Sequence, residues 1–187
     1  MDALEALTTR STAKTCGDTA PSKEHLAIVL QAAVRAPDHG RLRPWRFMLI
    51  EGNQRRQFGD MLAASALRRV PGLSTGDLTR ERDKAMRAPL IILVACRIVP
   101  GTKIPVIEQI LAAGAAAQNI LLALHTLGYA AAWKTGEAVY DPGVKQALGL
   151  AADDHLVGLI YTGGGMGASF APGKTASVQD AMLDFPA

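Results

Sequence analysis

The order of elements along this chain predicts a three-layer α+β or α/β fold, with a mixed central sheet of about four strands flanked by helices. Three observations carry the prediction. Four short apolar runs of strand length alternate with stretches whose apolar residues recur at helical period. One of those runs, LIILVAC at 90–96, is apolar at every position, as expected of a strand covered on both faces. Between the second and third runs lies a helix, from about Pro105 to Leu127, that is nearly apolar all round and needs covering on every side. A length of 187 residues fits a single domain, 1–187, with room for a sizeable core.

Each element has a local reason. Asp2 can cap a short first helix with Leu4 and Leu7 on its inner face. The stretch RSTAKTCGDTAP is a polar connection without periodicity. Ser22 caps a second helix whose Leu26, Val29, Leu30, Ala33 and Val34 fit a 3.6-residue period, and Pro37 ends it by disfavouring helix at Ala36. Trp45 to Ile50 reads as a strand. Asn53 begins a third helix through Phe58, Met61, Leu62 and Ser65; VPGLSTGD is a flexible loop, and LTRERDKAMR a short charged helix. Pro89 opens LIILVAC. The long apolar helix follows, with small residues throughout Ala112 to Ala117; in a chain this short a second subunit is a natural cover for it. YAAAWKTG is a strand running into a loop, Asp141 and Pro142 cap and start a helix to Leu148, and HLVGLIY is the last strand. From Thr162 onward the chain is rich in Gly and Pro, a tail with little core of its own that can wrap a partner.

Composition narrows the function classes. Hydrophobic residues make up 49% and charged residues 20%, ordinary for a globular protein. The net charge of +3 is too small to argue for nucleic acid, although a local patch can still bind a phosphate. The start, MDALEALTTR, holds no apolar run long enough for a signal peptide, and the apolar stretch Ile104–Leu127 carries Glu108, Gln109, Gln118, Asn119 and His125, so it is a poor membrane span. Cys16 and Cys96 form no CxxC and no metal-like pair; a reducing cytoplasm is the expected compartment.

Several motifs fall away on spacing. TGGGMGA, 162–168, matches G-x-G-x-x-A but lacks the helix, second strand and acidic residue a dinucleotide fingerprint needs; it reads as a turn at a strand end. APGKT, 171–175, ends like a P-loop, yet Ala168 stands where its first glycine belongs; Lys174 remains a candidate point charge for a phosphate. His25 reads as an exposed helix residue, His125 as a satisfied one near a helix end, and His155 lies beside Asp153 and Asp154 at a strand entry. Two segments remain. TRSTAK sets Arg10, Ser11, Thr12 and Lys14 within five residues, a mixture of cations and hydroxyls suited to a phosphomonoester. RAPDHGRLRPW, 35–45, packs four charges and His39 around two prolines, and its Arg35, His39 and Trp45 read either as a solvated loop, a salt-bridge cluster or a ligand rim.

Together these segments, with AAWKTG after the long helix, resemble the nitroreductase family of flavin mononucleotide (FMN) oxidoreductases, and within it the short bacterial YdjA-like branch. The likeness runs over nearly the whole chain in matching order and spacing. It implies an α+β, intertwined homodimer with FMN at the subunit interface, which would account for the apolar helix and for a tail, about 163–187, that wraps the partner. By position, Arg10, Ser11 and Thr12 resemble the first FMN segment, with Arg10 at the phosphate, and Lys14 resembles a lysine beside the flavin pyrimidine. Arg35 and His39 match the second segment, which in the family serves the partner's flavin. Trp133, Lys134 and Thr135 match the third, with Trp133 near the ring. The chain departs from the branch at Ser11 and Lys134, where arginines are common, at Arg43 before Pro44-Trp45, and near the C-terminus, where a basic pair is reduced to Lys174.

The resemblance implies NAD(P)H as electron donor and a small acceptor such as a nitroaromatic or quinone. The chemistry is carried at flavin N5, so no catalytic side chain is expected, and a cation near N1 and O2, from Arg35 or Lys14, favours reduction electrostatically. The alternative is a non-catalytic dimer that binds flavin or another phosphorylated ligand. No metal, nucleic-acid or membrane partner is expected.

Overall fold

A computed structural model describes residues 1–165 and 177–183. Its elements are α1 (Ala3–Thr9), α2 (Lys23–Ala33), β1 (Trp45–Glu51), α3 (Gln54–Arg69), α4 (Thr75–Asp83), β2 (Leu90–Cys96), α5 (Val106–Thr126), β3 (Tyr129–Lys134), α6 (Pro142–Ala147), β4 (His155–Gly164) and α7 (Val178–Ala181). The caps act as the side chains dictate. Asp2 accepts from Glu5 N–H, Ser22 from His25 N–H, and Asp141 from Gly143 and Val144 N–H. Arg68 adds two bonds of 3.0 Å to the buried Asp141 carboxylate. Burial works against that charge, yet the Ser65 hydroxyl, the Arg68 guanidinium and the Gly143 amide together outweigh it and hold the carboxyl down to about 2.

The strands form one sheet in the order β1-β2-β4-β3. Among the described residues every pairing is antiparallel, so the expected mixed sheet is corrected on this point while the four strands and the α+β class stand. The reason lies in the connections. The two helices between β1 and β2 return the chain pointing the other way. Between β3 and β4 the chain turns through Glu137–Tyr140 and the short α6, and β4 then runs back beside β3. β2 and β3, linked by the single long α5, do point the same way, but β4 lies between them.

β2 shows why its sequence is apolar throughout. Leu90, Ile92, Val94 and Cys96 face α2 and α5, whereas Ile91, Leu93 and Ala95 face α3, α6 and the 3₁₀ turns Lys84–Met86 and Glu137–Tyr140. β4 keeps both faces supplied through a bulge. Val94 pairs with Gly158 and Ala95 with Leu156, which leaves Val157 as an extra residue. The bulge lets Leu156 share the α3 face with Leu159 and Tyr161, which strict alternation would forbid.

The long helix α5 buries Gln109, Ala112, Ala113, Ala116, Ala117, Ile120, Leu121 and Leu124 against the sheet and α2. Its other side carries Ile107 and Leu111, which are 59% and 63% exposed. Contrary to the inward reading of α1, Leu4 and Leu7 are exposed and only Ala6 is buried. His25 also differs from expectation: it is half-buried, with Nδ1 2.8 Å from the Tyr129 hydroxyl. His125 is satisfied near its helix end by Thr9 Oγ1 at 3.0 Å.

Candidate functional site

The first polar segment leaves α1 and laces onto the free edge of β3, where Ala13 N–H donates to Ala131 O at 3.0 Å. It then closes over the end of β4: Gly17 N–H donates to Gly164 O, and Gly164 N–H to Thr19 O, both at 2.8 Å. Gly163 permits this crossing, because a Cβ there would stand 2.2 Å from the Gly17 carbonyl oxygen. The glycine run thus includes a packing glycine inside β4, which extends to Gly164 rather than turning at Thr162.

This lacing walls a cavity of about 320 Å³, a size suited to a small-molecule site. Lys14 and Cys16 enter it from the segment, Lys134 and Thr135 from the end of β3, and Tyr161 from β4. Lys84 and Arg87 enter from the 3₁₀ turn Lys84–Met86 and the residue after it. Sequence reading missed both. Their spacing was the available signal, since residues three apart on a 3₁₀ turn lie on one side.

The cavity is positive. Lys84 is held by both oxygens of Glu81, at 2.5 and 2.6 Å. Lys14, Arg87 and Lys134 form no ion pair with a described residue. The two acids of the lining are neutral near pH 7: burial pushes the Cys16 thiol up, and burial pushes Tyr161 up to about 12 against the opposing charge of Arg87.

Of the residues singled out in the sequence, Lys14, Lys134 and Thr135 therefore meet. Trp133 does not join them, because alternation on β3 turns it to the α5 face. There its Nε1–H donates to Val157 O, the carbonyl of the bulge residue, at 3.3 Å. Arg10, Ser11 and Thr12 are partly exposed and immediately precede the cavity wall without lining it. Lys174 lies outside the described residues.

Arg35 and His39 stand elsewhere. They follow α2 on the α5 side, beside the start of β1. β1 and β3 are opposite edges of the sheet, three strand spacings or roughly 14 Å apart. The connection is tightly specified. Gly40, Arg41 and Arg43 are left-handed, at φ of 72°, 54° and 49°. Arg43 N–H donates to the Asp38 carboxylate at 2.7 Å, and the Arg46 guanidinium donates to the carbonyls of Arg43 and Trp45. Trp45 is buried in the core. His39 Nδ1 lies 2.6 Å from Glu108 Oε2 on the first turn of α5. Arg35 is exposed. A larger, shallower hollow of about 460 Å³ lies past the other end of β2, but Asp153 and His155 are its only ionisable lining groups.

Comparison with known proteins adds the following. Residues 7–164 match the model of the Nitroreductase family. The chain is 36% identical over 163 residues to Escherichia coli (strain K12) "Putative NAD(P)H nitroreductase YdjA", covering 87% of this chain and 88% of that one. It is 35% identical over 167 residues to a Haemophilus influenzae protein described as "Putative NAD(P)H nitroreductase", covering 89% and 90%. Among solved structures, a Bacillus cereus nitroreductase-like family protein superposes with a TM-score of 0.84 at 23% identity, covering 100% and 97%. A Desulfovibrio desulfuricans chain described as a "putative nitroreductase in complex with fmn" gives 0.75 at 28% identity, covering 98% and 96%.

Proposed function

This chain belongs to the nitroreductase family, and from that premise we propose that it is an FMN-dependent oxidoreductase that takes hydride from NAD(P)H and passes electrons to a small acceptor such as a nitroaromatic or quinone. The observation that carries this reading is the cation-lined cavity beside the Arg10–Thr12 segment. The residues fit the cofactor. Arg10 with the Ser11 and Thr12 hydroxyls suits the phosphate, and Lys174 is a further candidate there. Lys14, Lys134 and Thr135 suit the electron-rich carbonyl edge of the ring. Bound FMN supplies a ring that accepts hydride from the nicotinamide and gives it up to the acceptor.

The working unit is a homodimer. Ile28, Ile107 and Leu111, with Leu4 and Leu7, are large apolar side chains left uncovered, and a second copy would bury them. In that arrangement Arg35 and His39 serve the partner's flavin at the subunit interface, and the tail beyond β4 wraps the partner, whereas Trp133, turned to the α5 face, stands away from its own chain's cavity. The expected compartment is the cytoplasm.

The test is the visible absorption spectrum of the purified protein, before and after NADPH under argon. A flavin spectrum that bleaches is expected, and Arg10→Ala and Arg35→Ala should lower flavin content or slow the bleaching. A protein that carries no flavin and takes none up from FMN would refute the reading.

A further inference from the structure

We propose that the cavity selects a reactant bearing its own anionic group, a carboxylate, sulfonate or phosphate, and that Arg87 engages that group. The inference rests on the cavity being the flavin site proposed above. It comes from a charge count. Four cations line the cavity: Lys14, Lys84, Arg87 and Lys134. Glu81 neutralises only Lys84. The thiol and the phenol of the lining are neutral and offset nothing. FMN carries its dianion on the phosphate, which falls to Arg10, Ser11 and Thr12 outside the lining, and its oxidised ring is uncharged. Lys14 and Lys134 come from the sheet edge where the ring carbonyls are proposed to lie. Arg87 comes from the turn before β2, is exposed, and has no ion-pair partner among the described residues. Its guanidinium offers a planar fork that matches carboxylate and phosphate oxygens.

The anionic group has two sources, the acceptor or the 2′-phosphate of NADPH, and the experiment separates them. kcat/KM is measured for 4-nitrobenzoate against 4-nitrobenzamide, acceptors of similar size that differ in charge, and for NADPH against NADH. Each is measured in the wild type, Arg87→Gln and Arg87→Glu, at low and high NaCl. One of the two ratios should favour the anionic member about tenfold in the wild type, shrink in high salt, fall towards one in Arg87→Gln and invert in Arg87→Glu. A shift confined to the acceptor pair assigns the group to the acceptor; one confined to the dinucleotides assigns it to the donor. Ratios near one in the wild type, or unmoved by both substitutions, overturn the proposal. Flavin that is still bound and bleached in those proteins leaves the oxidoreductase reading standing. Absence of flavin removes that reading and this proposal with it.

Discussion

Gly158→Ala tests whether the sheet bulge holds the Trp133–Thr135 segment in place. A Cβ at Gly158 would lie 2.0 Å from Trp133 Nε1, 2.6 Å from its Cδ1 and 3.1 Å from Lys134 O. The indole cannot stay where it is. In moving it gives up the bond from Nε1–H to Val157 O, a loss of about 1 kcal/mol. Crowding of a packed site adds about 1–3 kcal/mol. The sum, about 2–4 kcal/mol, corresponds to a fall in Tm of roughly 4–16 °C for a domain of this size. Thermal unfolding followed by circular dichroism reads it directly. The same substitution in a Trp133→Ala background should cost less by about 1.5 kcal/mol, the coupling energy, since the indole that clashed is gone and only the backbone strain at φ 159° and the contact with Lys134 O remain. Equal losses in both backgrounds, or a Tm within about 2 °C of the wild type, would refute the reasoning that indole and bulge are built for each other.

Asp141→Asn should cost about 1–2 kcal/mol at pH 7, read from urea midpoints, because it removes the charge that Arg68 and the α6 amides hold. The folded carboxyl sits at about 2 against an ordinary 3.8, so its contribution is fully present above the unfolded value and is lost as pH falls through the folded one. The wild type should therefore lose stability between pH 5 and pH 2 more steeply than the variant; parallel pH profiles would show that the carboxylate is not held as described. Leu111→Arg places a charge in the uncovered face of α5 and should turn a dimer into a monomer by light scattering, with loss of bound flavin in the same sample. A variant that stays dimeric and yellow would place the interface elsewhere.

The helices and strands were legible because their signals are local. Ser22, Asp141 and Pro142 mark helix starts, and the unbroken seven-residue run from Leu90 to Cys96 is typical of a strand wet on neither face. Pairing was not local. That β4 inserts between β2 and β3 depends on which faces are apolar in three dimensions, so an order of elements alone suggested a mixed sheet. The site divides in the same way. Lys14 and Lys134 stand in segments whose composition is conspicuous. Lys84 and Arg87 look like any charged helix end until the turn before β2 folds against Tyr161. Leu4 and Leu7 were assigned inward because apolar periodicity reports that a face is covered, not by which chain.

The uncovered face and the scattered site segments have one structural origin. α5 is too apolar for the single layer that covers it, and the stripe it leaves out contains Ile107 and Leu111. Glu108 lies between them, one residue from Ile107 and three from Leu111, on neighbouring ground of the same helix. It is also the residue that holds His39. Whatever buries Leu111 must therefore approach the His39–Glu108 pair and take water from it. In water such a pair contributes little; partly desolvated it becomes a firmer tie between α5 and the left-handed connection that carries Arg35. A second copy on this face would thus do two things at once: cover the apolar stripe and stiffen the segment placed on the far edge of the sheet from its own chain's cavity. A segment so placed is poorly located for its own cavity.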